Sequence, residues 1–503
     1  MSSPAKVVVI GIDSADRNLL LNLCESGELP VLQSLREKSA WGVLTSPTAM
    51  GDDATWASFY TSVSPARHGR YFYKYIQPGS YSTRWFRDAN LNRKPFWDFL
   101  SRTGYRVAII DVPKCPLSKD LNGFQLADWL VHGRDHDTCS SPPEIASDIL
   151  SRFGDDLTDR PHTKEWLCRM DSLSEAEYEI FLQRLLNSVD KKVQVSTEFL
   201  DCGVWDLFLV VFKESHCITH QCWHFLDETH PKYNTELVQR VGSPIKRVFK
   251  ALDAAIGQIL SLVGPETYVI VFSDLGMGPN YTGEHILDTI LLRLESSNAT
   301  IWRKIHFVSN HIEQKLRLRL FGHASPSYRR AFQLEHNEMS GAIRVNLKGR
   351  EPLGLIRPGK ELEEFYECLT QDLLALVHPD SGKPIIERVV RTDDFFTGEQ
   401  RDCLPDLFVV WRRDNPIIGA ASPKIGELRA DNPLYRTGNH VADGIYFCFG
   451  PSVPAGEQAH SASIVDIGPT IAAMLGTQLP DTDGKPIAAL SHLSDFRVEQ
   501  PLK

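Results

Sequence analysis

The chain has 503 residues, 42% of them hydrophobic, enough for a large core in one α/β domain with insertions. Its net charge of −10 supplies no global basic field, which argues against a nucleic-acid polymer as partner, since such binding needs clustered Lys and Arg. No apolar run reaches the roughly eighteen residues of a transmembrane helix, so no membrane partner is expected.

The opening segment, MSSPAKVVVIGIDSAD, has a short apolar run that ends in an acid. A secretory signal needs a longer apolar stretch and a small-residue cleavage site, so the run reads as a first core strand and the protein as cytoplasmic. The ten cysteines form no CxxC pair and read as reduced thiols. Further apolar runs follow: YRVAIID (105–111), DLFLVVF (206–212), TYVIVFSD (267–274), PDLFVVW (405–411) and GIYFCFG (444–450). Runs that are apolar at nearly every position suit strands covered on both faces of a mostly parallel sheet. Between them lie helical stretches such as LPVLQSLREKS and SPIKRVFKALDAAIGQILSLV; the second carries one apolar stripe at three- and four-residue steps. The alternation predicts an α/β layer fold. Residues 130–205 and 296–345 break the rhythm and read as a cap-like insertion and a second insertion, with a solvated surface excursion as the plain alternative.

In open α/β sheets ligands bind beyond the carboxyl ends of the strands, so polar residues that end predicted strands are the informative ones. Asp13 and Asp274 end two strands, His216 and His220 follow a third in KESHCITHQCWH, and His440 lies in RTGNHVADG just before a fourth. A strand-end Asp is often only a helix cap, and an HxxxH pair arises by chance. Taken together, four loops converge on one sheet edge with imidazoles and carboxylates, the ligands of zinc, manganese or iron. The four-residue spacing sets His216 and His220 on one helical face.

These residues, in this order, resemble the type I phosphodiesterase and nucleotide pyrophosphatase branch of the alkaline phosphatase superfamily. VVVIGIDSAD is similar to the opening strand with its metal-binding Asp, and TWASFYTSVSPARHGRYFY to the segment carrying the nucleophile. SDLGMGP resembles an SDHG element, and RTGNHVADGIYFCFGP the loop with the last metal-binding His. IRVNLKGREPLG and SASIVDIGPTIAAMLGTQLPDTDGKPI are similar to later segments of the family. The resemblance implies one alkaline-phosphatase-like α/β domain over 1–503, a central mostly parallel sheet sandwiched by helices, and cap insertions. It also implies two divalent ions bridged by the substrate phosphate, one held by an Asp and two His, the other by two Asp, one His and a Thr or Ser nucleophile.

Carried over by position, the pattern changes in three places. The nucleophile position falls on Asp52, the Asp before the histidine pair is His216, and the His of SDHG is Leu275. The first site then comprises His216, His220 and His440, suited to zinc. The second comprises Asp13, Asp52 and Asp274, suited to manganese, magnesium, calcium or zinc, or left without an ion. Asp52 is read as a metal ligand or as general base for a metal-activated water, with Thr55 or Thr48 as a displaced nucleophile in the alternative. Glu214, His224 and His285 are candidates for a further ligand or for groups that orient one. Arg67, Arg93 and Lys94 are candidates for holding the substrate anion, and His68 reads as structural. The expected activity is metal-dependent hydrolysis of a small anionic ester: a phosphodiester, nucleotide pyrophosphate or phosphomonoester, with sulfate and phosphonate esters open. The competing readings are a catalytically altered, metal-dependent binding or regulatory protein and another metal-dependent reaction such as a phosphomutase. Homo-oligomerisation is left open.

Overall fold

The computed structural model describes residues 5–131, 136–155, 173–297, 326–336, 339–430 and 436–490. A ten-stranded sheet forms the centre. Its order from one edge is Gly456–Glu457, Ala40–Thr45, Gly444–Phe449, Tyr268–Ser273, Ala5–Ile12, Trp205–Phe212, Val107–Ile110, Gly123–Ala127 and Cys139–Ser141, with Ala462–Ser463 also beside Ala40–Thr45. The middle strands pair in parallel; Gly444–Phe449 and Cys139–Ser141 run antiparallel to their neighbours.

The first strand shows why its run is apolar throughout. Val8, Ile10 and Ile12 face the core formed with helices Arg17–Glu25, Pro30–Lys38, Glu175–Cys202 and Pro244–Leu260. Val7 and Val9 face the opposite core, with Trp56, Phe59, Trp97, Ile467 and Ile471. Successive side chains of a strand point to opposite faces, so cover on both sides leaves no polar alternation. The stripe Ile245, Val248, Phe249, Leu252, Ile256 and Ile259 buries one face of Pro244–Leu260 in the same way.

The run at 405–411 departs from the expected single sheet. Leu407–Trp411 belongs to a separate four-stranded antiparallel sheet with Ala331–Leu334, Gly341–Val345 and Ile386–Arg391. Leu407, Val409 and Trp411 pack with helices Glu284–Ser297 and Lys360–Leu374. Phe408 faces a second cluster with Ala49, Met50, Ala54, Tyr71 and Phe72. This strand too is covered on both faces, so periodicity alone could not tell which sheet it joins.

Within the stretch 130–205, the helix Glu175–Cys202 packs on the central sheet through Leu182, Leu185, Val189 and Val193. The stretch 296–345 lies partly outside the described residues; its described strands belong to the second sheet. No described helix is long and apolar enough to cross a membrane.

A buried charge pair fastens Glu175–Cys202 to the sheet's carboxyl edge. Lys192 Nζ donates to the Leu130 carbonyl at 2.8 Å and the Val211 carbonyl at 2.7 Å, and lies 3.1 Å from Asp111 Oδ2. Asp111 in turn accepts from the backbone N–H of Trp129 and Leu130. Removing one partner of a buried pair strands the other charge, at a cost of about 3–5 kcal/mol. Lys192→Ala is therefore expected to lower unfolding free energy by about that amount in denaturant titration; a change under about 1 kcal/mol would contradict this role.

Candidate metal centre

Asp13 directly follows the strand Ala5–Ile12, Asp274 follows Tyr268–Ser273, and the helix Glu214–Cys222 begins two residues after Trp205–Phe212. All three therefore open at the carboxyl ends of parallel neighbours. His440 arrives on Gly438–Val441, which pairs antiparallel with Gly276–Pro279 so that His440 stands opposite Met277. Gly438 permits the close approach to the helix: a Cβ there would sit 2.3 Å from the Thr219 carbonyl oxygen.

His216, His220 and His440 come together, each offering a ligand atom within 4.8 Å of the others, and all three are buried. Ring centroids are 4.6 to 4.9 Å apart. His220 Nδ1 lies 2.7 Å from the Gly438 carbonyl, which can only accept, so Nδ1 carries the proton and Nε2 the lone pair. That Nε2 is 3.1 Å from His440 Nε2. Two imidazole nitrogens so close require a proton or a cation between them. Burial pushes both rings well below the usual histidine range; Arg436 adds to this at His220, and His216 at His440. These two rings are thus neutral imidazoles, the form that binds a metal. His440 Nδ1 has no hydrogen-bond partner among the described residues.

Asp13, Asp274 and Asp52 gather beside the histidines. Asp13 Oδ2 lies 3.2 Å from His216 Nδ1, and Trp56 Nε1 reaches Asp13 Oδ1 at 3.4 Å. Ser14, in the left-handed region at φ 53, donates its N–H to Asp274 Oδ1 at 2.8 Å. Asp274 Oδ2 is buried without a hydrogen-bond partner among the described residues. Burial and then the charge of Asp13 hold the Asp274 carboxyl well above its usual range, with Asp52 adding to the effect. Crowded carboxylates with an unsatisfied oxygen fit a hard cation.

Asp52 opens the helix Asp52–Thr61. Its Oδ1 accepts from Asp53 N at 2.9 Å, and its Oδ2 lies 3.0 Å from Lys114 Nζ. Burial would raise this carboxyl, but Lys114, then His440 and His216, outweigh it and hold Asp52 well below the usual range. Lys114 also touches Asp53 Oδ2 at 3.0 Å, and Arg70 binds Asp53 Oδ1 from the other side at 2.7 Å. The Lys114 carbonyl accepts from Tyr60 Oη and Arg70 Nη1, both at 3.0 Å.

The remaining expected residues make other contacts. Thr55 is fully buried and donates to the Gly51 carbonyl at 2.9 Å. Glu214 accepts from Ser188 on Glu175–Cys202, so at least one of its oxygens faces that helix. His224 lies beside Tyr178 Oη at 3.3 Å and Thr437 Oγ1 at 3.1 Å, and Thr437 N donates to the His220 carbonyl; His224 thus supports the chain next to a candidate ligand. His285, on the helix Glu284–Ser297, brings Nε2 to 3.4 Å from the Ala430 carbonyl. Arg67 pairs with Asp481 and Asp483, Arg93 pairs with Glu399, and Lys94 is exposed next to helix Phe96–Arg102. Basic residues near the HG element thus tie surface segments together, whereas the cations at the centre are Lys114 and Arg436, neither singled out by the sequence. Arg436 Nη1 lies 3.4 Å from His220 Nε2. His68 bonds Ser58 Oγ at 3.0 Å and receives Arg70 N at 3.1 Å, as its structural reading requires.

The family sequence model described as type I phosphodiesterase / nucleotide pyrophosphatase matches residues 7–441, most of the chain. The chain belongs to this type I phosphodiesterase / nucleotide pyrophosphatase family. It is thereby a hydrolase of the phosphoester-cleaving kind. Among solved structures, the fold resembles phosphonoacetate hydrolase from Sinorhizobium meliloti 1021 in complex with phosphonoformate. That match has 13% identity and a TM-score of 0.50, over 93% of this chain and 94% of that one. An inactive variant of murine ectonucleotide pyrophosphatase / phosphodiesterase 5 in complex with AMP also matches, at 12% identity and TM-score 0.49 over 96% and 97%. No curated protein sequence matches the chain.

The buried imidazoles make a prediction for this family member. Burial, first of all causes, holds His68 and His224 at about 3 and His336 at about 4, and places His220 and His440 well below normal. The unfolded chain takes up protons at these rings near pH 6.5 while the folded chain does not, so stability is lost as pH falls through that value. Between pH 7.5 and 5.5 each ring should cost about 1 kcal/mol. The Tm measured in EDTA should therefore fall on acidification; a flat or rising Tm would contradict neutral burial.

Proposed function

We propose that this chain hydrolyses a phosphate-type ester at a metal centre held by His216, His220 and His440, with water as the attacking group. The observation that carries the reading is the convergence of three buried imidazoles within 4.8 Å, each from a sheet-edge segment. Such a donor set suits zinc, with a fourth position open to substrate or water. A divalent ion there supplies Lewis-acid polarisation of a phosphoryl oxygen and lowers the pKa of water toward neutrality.

The protein side chains do the rest. Asp52 stands where the family resemblance implies a Ser or Thr, but its two oxygens already accept from Asp53 N and Lys114 Nζ. A carboxylate held in this way is a poor nucleophile, and with its pKa held low it serves as a fixed acceptor that orients the attacking water rather than as a strong base. Lys114 keeps it ionised and fixed. Asp13 and Asp274, with Asp52, would hold a second and harder cation, such as manganese or magnesium. Thr55, its hydroxyl committed to the Gly51 carbonyl, is not the nucleophile.

Elemental analysis and turnover of 4-nitrophenyl esters with added zinc or manganese test this reading. His220→Ala and Asp274→Ala are expected to lower metal content and to reduce turnover by about 100-fold or more. Thr55→Ala should retain activity within about tenfold, since it removes only one hydroxyl–carbonyl hydrogen bond. Complete loss in Thr55→Ala, with a phosphothreonine trapped in the parent protein, would overturn the water mechanism.

A further inference from the structure

We propose that Arg413 binds a second anionic group of the substrate, a carboxylate or a further phosphate on its leaving portion, beside the metal centre. The inference rests on the hydrolytic reading above and deepens it by naming the class of substrate.

Arg413 stands two residues past the strand Leu407–Trp411, so the second sheet supplies it. Its Nη1 donates to the Asn439 carbonyl at 3.2 Å, and its Nη2 to the Met339 carbonyl at 3.3 Å. Both acceptors belong to segments that reach the centre. Asn439 directly precedes His440 on Gly438–Val441. Met339 directly precedes Ser340, whose hydroxyl donates at 2.6 Å to the carbonyl of Ala49, three residues before Asp52. The guanidinium therefore spans the gap between the chain that carries His440 and the chain that leads into Asp52.

The charge of Arg413 has no counter-ion. Arg70, Arg344 and Arg350 each meet a carboxylate at 2.6 to 2.7 Å. Arg413 meets none among the described residues, and the adjacent Asp414 pairs with Arg412 instead. The two carbonyls occupy only two of the guanidinium's donors, and Nε–H has no acceptor among the described residues yet is not sealed from solvent. The side chain is half-buried, and burial pulls its pKa down to about 10 with only Glu387 opposing, so it stays charged at neutral pH. A charge withdrawn from water without a partner is costly to keep, and an oxyanion removes that cost. The planar fork can hold a carboxylate or phosphate through two oxygens at once. A substrate with its phosphoryl group on the metal ion and a second oxyanion on Arg413 satisfies both cations. An ester with a neutral alkyl group satisfies only the first. In the reaction the phosphorus–ester oxygen bond breaks and a phosphorus–water oxygen bond forms. One water proton passes to the departing alcohol, and the second anionic group leaves unchanged with it.

The test compares phosphoglycolate, ethylene glycol bisphosphate and ethyl phosphate as substrates of the zinc-loaded full-length protein, and measures binding of the first two by calorimetry. The parent protein should favour one or both of the doubly anionic esters over ethyl phosphate by about tenfold or more in kcat/KM, the worth of hydrogen bonds to a charged group. Arg413→Met keeps the apolar stem and should remove that advantage, while changing ethyl phosphate turnover by less than about threefold. Arg413→Lys should fall between, because it keeps the charge and loses the fork. An Arg413-dependent gain on phosphoglycolate alone supports a carboxylate, and one on the bisphosphate alone supports a second phosphate. Equal losses on all three esters, as from a purely structural tie, would overturn the proposal, and so would a parent protein with no preference for either doubly anionic ester. Turnover of none of them, with binding weakened by about tenfold or more in Arg413→Met, would overturn the hydrolytic reading and uphold the anion site. Binding of both probes alike in parent and variant would overturn the site.

Discussion

Three imidazoles gathered in one buried space are the constraint to which the rest of this structure answers. The 3.1 Å approach of His220 Nε2 and His440 Nε2 is a hydrogen bond when a proton lies between them, and it aims both nitrogens at a common point that an ion can take in the proton's place. The arrangement is held from several sides. The Gly438 carbonyl fixes the His220 tautomer, and the Thr437–His224–Tyr178 contacts tie the neighbouring chain to the long helix Glu175–Cys202. The parallel strands supply the common edge at which these segments meet.

Around the histidines the charges are sorted into separate groups. Asp52, Asp53, Lys114 and Arg70 form a largely self-compensating cluster at the start of one helix. Asp111 and Lys192 compensate each other behind the sheet edge. Asp13 and Asp274 remain close to the imidazoles with an oxygen of Asp274 unsatisfied. Buried ion pairs add little net stability when their desolvation is counted. The cluster at Asp52 is better understood as a way of holding one carboxylate in fixed charge and position where substrate chemistry takes place.

Much of this was legible in the sequence because strand ends announce themselves. Asp13, His216, His220, Asp274 and His440 stand out from apolar runs and their ends, Asp52 only through the family resemblance, and the folded chain brings them close together. Lys114 and Arg436 were not found, for a physical reason. Each is a common surface residue type, and its role comes from what lies across the sheet edge, in segments at 52–53 and at 220. A weak signal for Lys114 was present, since it follows the strand Val107–Ile110 as Asp13 follows Ala5–Ile12. The basic residues that sequence proximity favoured, Arg67 and Arg93, instead meet acids at 481, 483 and 399, partners too distant in sequence to anticipate. The strand Leu407–Trp411 shows the same limit in the fold, because two-sided burial looks alike in either sheet.

Anomalous diffraction at the zinc edge, from crystals of the purified protein grown with zinc, tests the central claim most directly. The account predicts a peak about 2.0–2.1 Å from one nitrogen of each of His216, His220 and His440. A zinc-loaded crystal with no peak between those rings, or with the rings turned away from one another, would contradict it.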